Sequence, residues 1–347
     1  MTLAELAAQL RQSLGIMHKQ DIQAAARLFG TVRRQKAPGH GETETGRQGN
    51  LGPLPNPSPA GASAVPLLGD DCAAIPDGSG YLLLAAEGML PALVDAEPWF
   101  AGWSAVMVNV SDIYAMGGQP IAVVDTIWSH SATIREPLLD GMKAAADAYN
   151  VPIVGGHTNG HSPYNALSVA IMGRANRLIT SFGAKPGDCL LIATDFRGKP
   201  HPSYPFWNAA TAADPVQLRG DLAILPALAE AGLCHAGKDV SMGGIVGTLL
   251  MLLETSSCGA TLHLDTVPCP PDLPLERWLL CFPSYGFLLS VPPENVATVQ
   301  SYFHRRQLVC EAIGEVQATH QLILQSQQES VVFWNLAEQA LTGFSPA

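Results

Sequence analysis

From residue 67 onward, short apolar runs alternate with stretches whose apolar residues recur every three or four positions, and this alternation confines the chain to an α/β class of fold. Runs at 81–86, 120–128, 151–154 and 166–172 read as strands. Helices are predicted between them at 103–116 and 136–149, the second closing before a Val-Pro that starts a strand. The GAKPGD turn at 183–188 then leads into the apolar run CLLIAT and opens a second α/β unit. In that unit, helices are predicted at 217–231 and 243–254, and strands at 260–264, 286–291, 308–316 and 321–325.

A chain of 347 residues, 47% of them hydrophobic, is long enough to bury two cores. Ahead of the alternating region, 2–14 and 19–29 read as amphipathic helices with Thr2 and Asp21 as first-turn groups. The stretch 31–64 is rich in Gly and Pro and poor in large apolar residues, so burial cannot offset its ordering entropy and a mobile loop is expected. The organisation that follows is a preface and loop at 1–64, an N-terminal domain at 65–182 and a C-terminal domain at 183–347.

A net charge of −11, with only 19 Lys plus Arg, argues against a nonspecific nucleic-acid binder, and small anionic ligands would need metal ions to bridge them. The seven cysteines are scattered, with no CxxC spacing, which speaks against a disulfide framework or structural zinc and for a reducing compartment. The first residues do not form a signal peptide, and no apolar run approaches the roughly 18 residues that cross a bilayer. A cytoplasmic protein that binds neither membrane nor nucleic acid is expected.

Four clusters carry candidate chemistry. Gly69-Asp70-Asp71 places two adjacent acids before an apolar strand, where one side chain faces a ligand and its neighbour the other way; solvated turn acids are the alternative. Asn109 and Asp112, three apart at the end of an apolar helix with Ser111 between them, put two oxygens on one buried face. A buried carboxylate wants a partner, most economically a cation. In VGGHTNG at 154–160, Gly155 and Gly156 let the backbone approach a ligand and His157 follows, although a simple turn fits equally. DVSMGG at 239–244 precedes a helix with Asp239, Ser241 and Gly243, which either cap it or bind an anion there.

Gly232 to Lys238 has the GxxxxGK spacing of a phosphate-binding loop, but Asp239 stands where its hydroxyl residue belongs and a helix precedes it where a strand should. No GxGxxG, GxSxG or HExxH is present.

In this order and separation, GDDCAA at 69–74, NVSDIYAMGG at 109–118 and DVSMGG at 239–244 resemble the AIR synthase (aminoimidazole ribonucleotide synthetase) superfamily across about residues 65–325. In motifs the chain is nearest to its thiamine-monophosphate kinase and hydrogenase-maturation carbamoyl dehydratase branches. The cysteines expected of a selenophosphate synthetase or a carbamoyl dehydratase are absent, and FPSYGF at 282–287 departs from the thiamine kinase pattern. An uncharacterised branch is the reading these absences favour.

The resemblance implies a two-domain α/β fold, a homodimer formed through the sheet of the first domain, and ATP held with Mg2+ by carboxylates. Asp70, Asp71 and Asp112 would ligate metal and Asn109 would position a phosphate or ligand carboxylate, with Gly69, Ser111, Gly155, Gly156, Asp239 and Gly243 around the nucleotide. Glu87 replaces an Asp of the relatives and can still bind a hard cation; His157 replaces another, so that one metal position is lost, moved, or replaced by a His acting as base. The implied reaction moves the ATP γ-phosphoryl to an oxygen of a small-molecule substrate, as product or as activation for attack by nitrogen. Lys143, Arg174 and Lys199 are candidate phosphate or substrate contacts. Thiamine-monophosphate kinase activity and a nucleotide-binding regulator without turnover are the alternatives.

Overall fold

The computed structural model describes residues 1–29 and 68–344, so the mobile loop predicted at 31–64, and the 64/65 boundary, lie outside the described residues. Thr2 caps α1 (Leu3–Arg11), its hydroxyl accepting from the Glu5 amide while the Glu5 carboxylate accepts from the Thr2 amide. A short α2 (Leu14–Met17) follows, and the second predicted helix, 19–29, divides into a 3-10 turn (His18–Ile22) with Asp21 in its first turn and α3 (Gln23–Phe29).

The first sheet contains β1 (Ala73–Asp77), β2 (Gly80–Gly88), β3 (Gln119–Trp128), β4 (Ile153–Asn159) and β5 (Ala166–Ala175), in the order β1-β2-β5-β3-β4. The accompanying helices are α4 (Pro91–Ala96), α5 (Pro98–Ala115) and α6 (Ala132–Tyr149). One sheet face turns Leu83, Val123, Val169 and Ile171 into a core shared with α5 and α6. On the other face the register sets Ile75 beside Leu82 and Leu84 beside Met172, and Leu84 and Met172 remain 49% and 40% exposed. Strand β4 is an edge paired in parallel with β3, and it runs through Gly155, Gly156 and His157 where a turn was predicted.

The second half continues with β6 (Cys189–Thr194), β7 (Lys199–Pro200), β8 (Phe206–Asn208), α7 (Pro215–Leu222), α8 (Ile224–Ala231), β9 (Ala236–Asp239), α9 (Gly244–Ser256) and β10 (Gly259–His263). Then come α10 (Leu275–Trp278), β11 (Phe282–Pro283), β12 (Gly286–Val291), α11 (Val296–His304), β13 (Val309–Gln317), β14 (Gln321–Ser326) and β15 (Glu329–Asn335). A seven-stranded sheet runs β15-β14-β10-β13-β6-β12-β9, and a small sheet runs β11-β8-β7.

Both faces of the large sheet are covered. Leu190, Ile192 and Leu288 enter a core with Leu6 and Leu10 of α1 and Leu249 of α9. Leu191, Phe287 and Leu289 enter the other core, with Leu225 of α8 and Phe303 of α11, and that core continues into α5. The helix predicted at 217–231 is two helices, because Pro226 has no N–H to offer the Leu222 carbonyl one turn back.

Candidate functional site

Helix α5 carries apolar residues on nearly every side and is buried along most of its length, so its polar groups must find partners inside the protein. Asn109 is fully buried; its Nδ2 donates to the Ala105 carbonyl at 2.8 Å, and its Oδ1 has no partner among the described residues. Asp112 is 6% exposed and its Oδ2 is likewise unpartnered.

Two further acids converge on Asp112. Asp71 arrives from the loop before β1, and Asp239 from the end of β9. One carboxylate oxygen from each of Asp71, Asp112 and Asp239 lies within 4.8 Å of the others. A magnesium ion, with ligand oxygens at about 2.1 Å, sets opposite ligands about 4.2 Å apart, so three hard oxygens at this spacing suit it. The orphaned Oδ2 of Asp112 is the atom such an ion would satisfy.

Lys238 of β9 enters the same cluster and ion-pairs with Asp71, both side chains being nearly buried, while the Asp239 amide donates to Asp71 Oδ2 at 3.2 Å. Burial alone would push the Lys238 ammonium down, but Asp71, Asp70 and Asp239 more than reverse this and hold it above the ordinary lysine value. Asp112 is pushed well above the usual carboxylate range by burial, then by Asp239 and Asp71. Asp239 moves the same way through burial and Asp71. Too many acids share too little water, which is the electrostatic condition of a cation site.

The cluster forms one end of a cavity of about 430 Å³ between the two halves of the chain. Lys19 and Ile22 of the preface reach it from one side and Thr342 and Phe344 from another. Desolvation first, and then Lys238, lower the Lys19 ammonium. Segment 341–343 is held by the buried Glu254 of α9, which accepts from the Leu341, Thr342 and Gly343 amides and the Thr342 hydroxyl. Gln23 Nε2 donates to the Ala340 and Leu341 carbonyls, so preface and segment 341–344 are joined. Phe344 packs on Gly69, which has φ +106 and where a Cβ would stand 2.6 Å from the Phe344 Cβ.

The remaining sequence candidates stand outside the triad. Asp70 lines the cavity but is no member of the triad: its Oδ2 accepts from the Ser181 amide at 2.9 Å and its Oδ1 from the Asp71 amide at 3.0 Å, tying the loop to the interdomain segment. Burial and the neighbouring Asp71 raise its carboxyl to about 6. Glu87 lines the cavity from the end of β2, outside the triad and on the Lys19 side; desolvation raises its carboxyl. Gly155, Gly156 and His157 are exposed on edge strand β4 and do not line the cavity.

Asn109, Ser111 and Gly243 also stand outside the lining, Ser111 buried on α5 and Gly243 at the start of α9. Neither Asp239 nor Ser241 caps α9 with its side chain. Lys143 pairs with Asp147 at 2.5 Å, Arg174 with Asp77, and Lys199 is exposed; none lines the cavity. Sequence reasoning missed Lys19 and Lys238. The signal for Lys238 was its place directly before Asp239, which the resemblance to a phosphate-binding loop obscured.

Comparison with known proteins bears on both halves of the chain. The family model described as AIR synthase related protein, N-terminal domain, matches residues 69–175, and AIR synthase related protein, C-terminal domain, matches 194–327. An uncharacterized protein of Synechocystis sp. is 54% identical over 344 residues, covering 99% of each chain. Among solved structures, T. maritima PurL complexed with ADP superposes with TM-score 0.66 at 18% identity over 79% of this chain; the match spans 46% of the PurL chain, about half its length. AaThiL complexed with AMPPCP and TMP superposes with TM-score 0.60 at 21% identity, covering 76% of this chain and 90% of its own. At such identities these likenesses establish the fold.

Proposed function

The chain belongs to the AIR synthase related family, and from that premise we propose that it is a Mg2+-dependent enzyme that uses the γ-phosphoryl group of ATP to phosphorylate or activate an oxygen of a small molecule. The observation that carries this reading is the approach of Asp71, Asp112 and Asp239 within 4.8 Å of one another, with Asp112 Oδ2 unpartnered. Nucleotides in the PurL and AaThiL complexes support it.

Asp71, Asp112 and Asp239 would hold the metal, which supplies charge neutralisation for the transferring phosphoryl group. Lys238 keeps the triad from carrying three uncompensated charges, and Lys19 adds a second cation at the cavity wall. In the transfer, the substrate oxygen bonds to the γ-phosphorus as the bond to the β,γ-bridging oxygen breaks. ADP leaves, and the hydroxyl proton passes to water or a cluster carboxylate.

The outer face of the first sheet, with Leu84 and Met172 exposed, is the surface on which a second copy of the chain docks in this reading. A cytoplasmic setting agrees with seven cysteines that are all free thiols; among the described residues no helix is long and apolar enough to cross a membrane. Calorimetric titration with Mg2+ and AMPPCP tests the proposal. Wild type is expected to bind the nucleotide only with the metal, and Asp112→Asn to lose that binding while staying folded. Binding that ignores both metal and Asp112 overturns it.

A further inference from the structure

The cavity is charged at one end only. Along α5, Phe100, Ser104, Val108 and Asp112 recur every four residues and all line it, so one helix face runs the length of the cavity. Phe100 and Asp112 lie about 18 Å apart along the axis at about 1.5 Å per residue. Every charged residue of the lining belongs to the Asp112 end, within the group formed by the triad, Asp70, Lys238, Glu87 and Lys19.

The other end is aromatic. Strands β8 and β11 pair Phe206 with Phe282, whose rings stand perpendicular at 6.0 Å, and Phe100 is 6.3 Å from Phe206. Trp103 and Trp207 also line the cavity. Of the polar groups there, Asn208 donates to Thr211 and accepts from the Ala210 and Thr211 amides, and Ser284 Oγ accepts from the Ala209 amide. A sugar phosphate placed there would find no cation, and the indole N–H of Trp103, which has no partner among the described residues, could not offset the hydration its charge would lose. A flat apolar ring would find aromatic faces and edges on several sides.

Resting on the reading of the acidic end as the phosphoryl-transfer site, we infer that the substrate is a planar aromatic or heteroaromatic molecule. Its uncharged ring body lies among Phe100, Phe206 and Phe282, and its oxygen function points along α5 toward Asp112. The volume of about 430 Å³ accommodates two fused rings with a short polar arm.

Ligand-observed NMR titration of the full chain with 2-naphthol, decahydro-2-naphthol and ribose 5-phosphate tests this, with Mg2+ and AMPPCP binding measured in parallel. The aromatic alcohol is expected to bind about three- to tenfold more tightly than its saturated analogue, ribose 5-phosphate not to displace it, and Phe206→Leu to weaken it several-fold while leaving nucleotide binding intact. Equal affinity for the saturated ring, displacement by ribose 5-phosphate, or no naphthol binding overturns the inference, and the wild-type ligand pair decides this even if the variant misfolds. Loss of nucleotide binding with the ring preference intact would instead sink the proposed phosphoryl transfer and leave the aromatic site standing.

Discussion

The two large sheets deal differently with the apolar surface every strand presents. In the seven-stranded sheet, successive residues of β12 enter two separate cores, Phe287 one and Leu288 the other, and both are fully buried. In the five-stranded sheet, Leu83 is fully buried while its neighbour Leu84 is 49% exposed. The second sheet is completed by the chain itself, since α1 and α9 cover a face that α8 and α11 leave free. No described element does the same for the first, and that asymmetry is the ground for proposing its outer face as the docking surface of a second copy.

The sharpest way to break this comparison is to truncate the buried side. Phe303→Ala is expected to destabilise by about 3–5 kcal/mol in urea unfolding, because it removes a fully buried ring from the core of the doubly covered sheet. A smaller loss would show that core to be loosely packed. Lys238→Met is expected to cost about 3–5 kcal/mol by leaving Asp71 buried without its cation, and thermal melts should show millimolar Mg2+ recovering part of it. No recovery would remove the triad as a cation site. Glu254→Gln should cost about 1.5–3 kcal/mol, since a buried charge accepting from segment 341–343 is lost, and should expose that segment to limited proteolysis.

A smaller effect follows from pH. Asp112 and Asp239 sit above the ordinary carboxylate value in the folded chain, so the folded protein keeps protons that the unfolded chain releases. Metal-free stability therefore rises as pH falls through the folded values and levels off near about 4, where unfolded carboxylates are protonated too. Asp70, at about 6, adds its share below that pH. Stabilisation by Mg2+ runs the other way, because the ion needs the deprotonated acids, so calorimetric melts should show its largest gain near pH 8 and a fading gain toward about pH 5. The smallest change in stability, within about 0.5 kcal/mol for the isolated monomer, is expected for Leu84→Lys. Sedimentation should nevertheless show that this variant no longer self-associates, and an unchanged sedimentation coefficient would deny the open face its role.

Much of this architecture was legible because burial writes itself as periodicity: the apolar runs at β2, β3, β5, β6 and β12 and the helical spacing of α5, α6 and α9 were all visible. Strand β9 was not, since its buried residues include Lys238, which tolerates burial because Asp71 lies across from it, and Asp239, whose charge Lys238 offsets. Asp71, Asp112 and Asp239 were readable as separate acidic motifs, yet nothing local distinguished Asp71, which enters the triad, from Asp70, which binds the Ser181 amide. Lys19 was hidden for another reason: an amphipathic segment of the preface shows which side is apolar but not which cavity a cation near it will reach. Glu254 looked like an ordinary helical acid until the amides of residues 341–343 were seen to surround it.

The bond from Gln23 to the Leu341 carbonyl joins positions 318 apart in sequence. Contacts of such separation are among the slowest to form, because a long loop must close before they reward it. During synthesis, then, the triad acids of the loop before β1, of α5 and of β9 leave the ribosome before segment 341–344, which walls their cavity. Under the proposed function, a nascent chain would gather the ion's ligands before it could shield a substrate there, so cation capture would precede the competence to react.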